Sequence, residues 1–173
     1  ALDRLGCPSQ LMGRVTMQMH YANEETFVAT DTTPIGQRAF HIAQKTAGYT
    51  IAMDTNGKLR WSSTEQDGKP LLVITSESCP KDYLDRLTEQ QISWIAVGVK
   101  RIDLKKAMNM LYAEFGVKRL AITGGGHING SFLEADLIDE VSVMIGPGID
   151  GRKGMTSVFD GIENANHAPT LLQ

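Results

Sequence analysis

Two glycine-bearing segments carry residues suited to holding an anion: Gly13-Arg14-Val15-Thr16 and Gly124-Gly125-Gly126-His127-Ile128-Asn129-Gly130. Glycine lets a backbone approach a phosphate closely, and the amides that follow open a helix whose dipole favours negative charge. Arg14 adds a bidentate phosphate donor and Thr16 a hydroxyl. The plain structural use of the first segment is a glycine turn carrying a surface arginine. Three consecutive glycines are costly to order, so the second segment marks close approach by a ligand or by another stretch of backbone. Neither segment is a familiar nucleotide fingerprint. Starting G-x-G-x-x-G at Gly124 puts Asn129 where the last glycine belongs, and no Gly-Lys-Ser/Thr follows to make a P-loop.

Thr75-Ser76 is a third candidate, a pair of hydroxyls just past an apolar run. It suits an adenosine ribose or 2′-phosphate, or a turn opened by serine. His20, His41, His127 and His167 are scattered without metal-ligand spacing, so no metal is expected. No Gly-x-Ser-x-Gly elbow is present, and the methionines at 17, 19, 108 and 110 read as core filler.

The elements that must position these residues are clearest in the second half. Leu71 to Thr75 reads as a buried strand, Pro80 opens a helix with Tyr83, Leu84 and Leu87 on one face, and Ile92 to Val97 is the next strand, ended by Gly98. Asp103 suits the N-cap of a helix through Phe115, stopped by Gly116. A strand over 117–123, a short helix over 131–135 and a strand over 141–145, where Val141, Val143 and Ile145 alternate with Ser142 and Met144, complete the series. In the first half, 10–12 and 49–53 read as strands, 35–47 as a helix and 54–69 as an exposed loop, with Trp61 as a lid contact and Trp94 in the core. The chain opens on helix at 1–5 and closes at 170–173 on a strand just beginning, so terminal strands of the sheet are expected outside this sequence. Strands alternating with helices predict an α/β fold with a mainly parallel sheet, in one domain over residues 1–173.

The bulk properties agree with that class. The chain has 173 residues, of which 42% are apolar and 21% charged, with a net charge of −3. That balance argues against broad attraction to nucleic acid or an anionic membrane. Cys7 and Cys79 alone do not make a disulfide framework, and two reduced thiols point to the cytoplasm. No apolar run reaches membrane-spanning length.

The two glycine segments, about a hundred residues apart with Thr75-Ser76 between them, resemble the cofactor elements of dihydrofolate reductases. The run from Gly124 to Glu140, with its glycine triplet, Asn129-Gly130, leucine-bearing helix and Asp139-Glu140, is more specific. It is similar to the reductase domain of the bacterial riboflavin deaminase-reductase family, and the likeness extends from about Leu11 to Gly151. The resemblance implies a three-layer dihydrofolate-reductase-like fold, NADPH as hydride donor, a small-molecule substrate of pyrimidine or pterin type, and a homodimer. It implies that Gly13, Arg14, Val15 and Thr16 hold cofactor phosphates, that Thr75 and Ser76 face the adenosine, and that Val97 and Gly98 lie beside the adenine. Gly124, Gly125, Gly126, His127 and Asn129 would cover the diphosphate and nicotinamide, while Asp54, Lys58 and Arg60 would approach a phosphorylated sugar substrate.

The expected reaction is reduction of a ribosylamino pyrimidine phosphate to its ribitylamino form. No catalytic residue or proton donor can be named. The chain departs from the family at Thr123, where relatives often carry an acid, and in lacking the family's first strand with its Asp-Gly element. A dihydrofolate reductase is the alternative enzyme, which would need a carboxylate poised over a pterin. A nucleotide-binding module without catalysis is the other alternative, motivated by Thr123.

Overall fold

The sheet is organised by short runs of β-branched and aliphatic residues that are buried on both faces, the pattern of parallel strands covered by helices. The structure, a computed structural model, describes residues 2–148, 151, 154–155, 157–164 and 166–171. Strands β1 (Ser9–Gly13), β3 (Thr50–Met53), β5 (Lys69–Thr75), β6 (Ser93–Ala96) and β7 (Leu120–Ile122) are mutually parallel. Strand β2 (Ala39–His41) runs antiparallel along the outer edge of β6, and the two-residue β4 (Glu65–Gln66) pairs antiparallel with β5. The order is β2-β6-β5-β3-β1-β7. Alternate residues of each strand serve opposite faces: Leu71 and Val73 pack with one core cluster, Leu72 and Ile74 with the other.

Helices α1 (Arg14–His20) and α2 (Lys81–Glu89) contribute Met17, Tyr83, Leu84 and Leu87 to the first cluster. Helices α3 (Leu104–Ala113) and α4 (Gly126–Glu134) contribute Ala107, Met110, Leu111 and Phe132 to the second. These are the three layers of the expected fold.

Helix α3 begins where its cap residue requires. The Asp103 carboxylate accepts from the Lys106 amide at 3.1 Å, and the Asp103 amide donates to Val97 O at 3.2 Å, closing the turn at Gly98. Replacing Asp103 with Ala should cost about 1 kcal/mol, read from the midpoint of urea unfolding with an unchanged slope.

Several expectations fail, each for a tertiary reason. The helix over 35–47 is absent. The Ile35 and Gly36 amides instead donate to Cys79 O and Glu77 O, and Ala39–His41 pairs with β6 through Ala39–Ala96, Phe40–Ile95 and His41–Trp94. Pairing with an otherwise bare strand edge wins over a helical spacing that has Pro34 and Gly36 at its start. The strand over 141–145 does not form, and Val143, Met144 and Ile145 are exposed. Among the described residues no strand lies on the outer edge of β7 to take it as a neighbour.

The helix expected over 131–135 is α4, and it starts earlier, at Gly126. The loop over 54–69 is not merely exposed. Leu59 is fully buried and Trp61 is 4% exposed, so Trp61 is core rather than lid. The opening residues form a 3-10 turn, Leu2–Leu5; residues 170–171 are not strand, and 172–173 lie outside the described residues.

Candidate functional site

Because five strands are parallel, the residues just past their carboxyl ends are gathered on one edge of the sheet, where open α/β sheets bind ligands. Gly13, Asp54, Ser76, Val97 and Thr123 all sit at that edge. The two glycine segments meet there directly. The Gly13 amide donates to Gly124 O at 3.0 Å, and a Cβ added to Gly13 would lie 2.6 Å from Ile128 Cγ1. Gly13 therefore lets α4 pack over the end of β1, which is a structural duty beside any ligand contact.

Helices α1 and α4 both start at this point, with Gly13 and Gly125 as N-caps. Neither has a side-chain cap, and neither carries an acid in its first turn. Their first amides thus remain available to an anion. Arg14 and Val15 are exposed, with Thr16 half-buried beside Gly125.

The glycines divide by what surrounds them. At Gly124, with φ of +119°, an added Cβ would find nothing within 4 Å, and at Gly125 only Thr16 Oγ1, at 3.9 Å. Those two leave open space. At Gly126 and Gly130 the added Cβ would instead collide with the carbonyl oxygens of Ser157 and Asp160. The chain at 157–161 lies along α4 there, held by Asp160 N–H donating to Gly126 O at 3.0 Å and by Asn129 Nδ2 donating to Val158 O at 2.8 Å. The triplet therefore divides into open space at its start and backbone packing at its end. Asn129 is engaged by this segment, and the His127 ring faces Gly161, with Cδ2 at 2.9 Å from an added Cβ.

The expected adenosine contacts are placed at the edge but turned inward. Thr75 and Ser76 are fully buried; the Ser76 hydroxyl donates to Thr55 O at 2.9 Å and lies 2.7 Å from Ser78 Oγ. Val97 is core, and Gly98, with φ of +87°, makes the tight turn against Arg101 and Asp103, its amide donating to Glu77 Oε1 at 3.0 Å. The hydroxyls and amides that sequence offered to a nucleotide are spent on the fold.

The three residues expected near substrate are split between two places. Asp54 is fully buried, and its Oδ2 accepts from the Lys58 amide at 2.6 Å, the Leu59 amide at 2.7 Å and the Tyr83 hydroxyl at 3.1 Å. Its Oδ1 has no partner among the described residues. Burial raises the Asp54 pKa above the usual carboxylate value, against the lowering effect of those donors and of the Arg14 charge. Burial likewise pushes the Cys79 thiol up to about 12, which leaves it inert.

Asp54 and Lys58 border a cavity of about 220 Å³ together with Arg14, Met53, Thr55, Asn56 and Ile128. Arg60 points elsewhere and pairs with Glu25 at the mouth of a larger hollow of about 740 Å³ between the 23–28 loop and α2. The larger hollow is away from the strand ends, so size does not choose the site here. Ile128, Met53, Thr55 and Asn56 are cavity residues that sequence reasoning missed. Only their adjacency to Gly126 and Asp54 could have signalled them. Among the described residues no group of His, Cys, Asp or Glu could hold a metal, and no helix is long and apolar enough to cross a membrane.

Two uncapped helix starts, one of them opening on an arginine, suit a phosphate-bearing ligand, and comparison with known proteins fixes the family. The family described as the RibD C-terminal domain matches residues 10–173. The chain belongs to the RibD C-terminal domain family. This RibD C-terminal domain is 33% identical over 95 residues to the 2,5-diamino-6-ribosylamino-4(3H)-pyrimidinone 5′-phosphate reductase of Methanothermobacter thermautotrophicus, a match covering 55% of this chain and 43% of that protein. It is 30% identical over 92 residues to the protein of the same name from Aquifex aeolicus, covering 53% of this chain and 41% of that protein. It is also 25% identical over 122 residues to the riboflavin biosynthesis protein RibD of Chlamydia muridarum, covering 68% of this chain and 33% of that one. The chain thus spans less than half the length of these relatives.

Proposed function

We propose that this RibD C-terminal domain is a nicotinamide-dependent reductase that uses NADPH to reduce the ribosylamino side chain of a pyrimidine phosphate to a ribitylamino chain, in riboflavin biosynthesis. The single observation that carries the cofactor half of this reading is the junction at Gly124 and Gly125. Open space beside two glycines lies there between two uncapped helix starts and next to Arg14. That is a cradle a Cβ would begin to fill, and it fits a diphosphate. The substrate half follows from the printed names of the relatives.

When bound, the nicotinamide cofactor supplies a hydride to an electrophilic carbon of the substrate. The chain's own part is positioning. The amides at the starts of α1 and α4 neutralise and orient phosphate, Arg14 adds a charge-assisted donor, and Ile128 with Met53 gives the adjoining wall an apolar surface. The alternatives of a dihydrofolate reductase and a non-catalytic module gain no specific support. The Asp54 carboxylate borders the small cavity, but its Oδ2 is committed to three donors within the fold.

The test is a fluorescence titration of the protein with NADPH. Saturable binding is expected, weakened about tenfold or more in Arg14→Ala by loss of one charge-assisted phosphate contact. No binding by the unaltered protein, or an affinity untouched by Arg14→Ala, overturns the cradle.

A further inference from the structure

The sequence holds two Asn-Gly pairs, Asn56-Gly57 and Asn129-Gly130, and the fold treats them oppositely. Asparagine before glycine readily loses its side-chain amide, because no Cβ on the next residue shields the nitrogen that attacks it. In a chain without structure the two pairs would age alike. In the fold Asn129 lies inside α4, its Nδ2 donates to Val158 O at 2.8 Å, and Gly130 is buried against the Asp160 carbonyl. Bringing the Gly130 nitrogen onto the Asn129 side chain would mean unwinding that helix and lifting the 157–161 segment off it. Asn56 is exposed in the turn after β3, where the Gly57 nitrogen is held by a hydrogen bond to Asp54 O at 3.1 Å. Releasing one such bond costs about tenfold in population or less, whereas opening a packed helix costs far more.

We propose that Asn56 is a site of spontaneous deamidation that the fold leaves open, while Asn129 is protected. The Gly57 nitrogen, its proton taken by hydroxide, attacks Asn56 Cγ. The N–Cγ bond forms, the Cγ–Nδ2 bond breaks, and the side-chain nitrogen leaves as ammonia with a proton from water. Water then opens the resulting succinimide at either carbonyl, and nothing is oxidised or reduced. Opening at Cγ leaves an ordinary aspartate. Opening at the backbone carbonyl leaves an isoaspartate, whose main chain is longer by a methylene. The fold has no room for that form. Gly57, at φ +64°, lies so close to the core that an added Cβ would be 2.6 Å from Cys79 Sγ and from Tyr83 Cδ1. A lengthened chain must push into those residues or draw the Lys58 and Leu59 amides off Asp54 Oδ2, and Leu59 is fully buried.

The test is peptide mapping by mass spectrometry of the whole chain aged in warm, mildly alkaline buffer, folded and in urea, with an isoaspartyl methyltransferase assay on the same samples. In the folded chain Asn56 should deamidate about tenfold faster than Asn129 or more, and in urea the two rates should come within about threefold. The isoaspartyl fraction should unfold at a lower temperature than the parent. Asn56→Asp, with an ordinary backbone, and Asn56→Gln, whose larger imide ring closes slowly, should keep the parent's midpoint, and Asn56→Gln should also lose the methyl-accepting signal. A folded Asn56 that reacts no faster than Asn129, or that stays intact while the chain in urea converts, overturns the proposal, as does an isoaspartyl fraction with the parent's midpoint.

Discussion

Asp54→Ala is expected to lose about 3 to 5 kcal/mol of stability. One carboxylate oxygen serves the Lys58 and Leu59 amides and the Tyr83 hydroxyl, all inside the fold. Removing it strands three donors, of which the Leu59 amide and the Tyr83 hydroxyl make buried bonds, at about 1 to 3 kcal/mol each before relaxation. Asp54→Asn keeps an acceptor oxygen and should lose far less, so chemical denaturation of the pair separates lost hydrogen bonding from lost charge.

The same pair has a pH signature. Burial raises the pKa of Asp54 in the folded chain. Between the ordinary carboxylate value and the raised one, the folded chain holds a proton that the unfolded chain has released, so stability falls as pH rises through that interval. The stability of the unaltered protein relative to Asp54→Asn should therefore be greatest at the acid end. It should decline through the interval and level off above it; a difference that grows with rising pH would contradict the assignment.

The glycines of α4 give the second large effect, and they should part company. Gly130→Ala places a methyl group against the Asp160 carbonyl, a backbone atom that cannot swing aside. Alanine improves helix propensity by about 1 kcal/mol, but the collision forces the 157–161 segment off the helix and forfeits the bonds from Asn129 and Asp160. A net loss of about 1 to 3 kcal/mol is expected, with faster proteolysis in 157–161. Gly125→Ala meets only Thr16 Oγ1 at 3.9 Å, at a φ of −78° that any residue adopts. Its thermal midpoint should stay put while its affinity for dinucleotide falls. Equal destabilisation by both substitutions would mean that the triplet is packing alone.

These contrasts show where sequence was readable. Runs such as Leu71 to Thr75 and the three- and four-residue spacing from Leu104 to Phe115 carry their structure locally, and Asp103 caps its helix as its type demands. What escaped reading depended on distant partners. Ala39–His41 is strand because β6 offers an edge, whereas 141–145 stays out of the sheet although the outer edge of β7 is open among the described residues.

The site follows the same rule. The glycines and Arg14 were read as a place for an anion, and the fold brings Gly13, Arg14 and Gly124 together at the strand ends. That Thr75 and Ser76 would turn inward, and that Lys58 would stand with Arg14 instead of Arg60, follows from the Asp54 carboxylate and the β5 end. Gly126 and Gly130 could not be told from ligand-facing glycines until Ser157 and Asp160 were seen against them.

The hydrogen bond from Gly13 to Gly124 has a kinetic meaning as well. It joins two halves of one cradle that lie far apart along the chain, and it exists only when β1 and β7 are already in register. Contacts of such sequence separation are among the slowest to close, because the loop entropy is lost before the pairing rewards it. A partly folded chain lacks this junction, so a dinucleotide held at the proposed cradle would stabilise the whole sheet by mass action, and its retention would report complete folding.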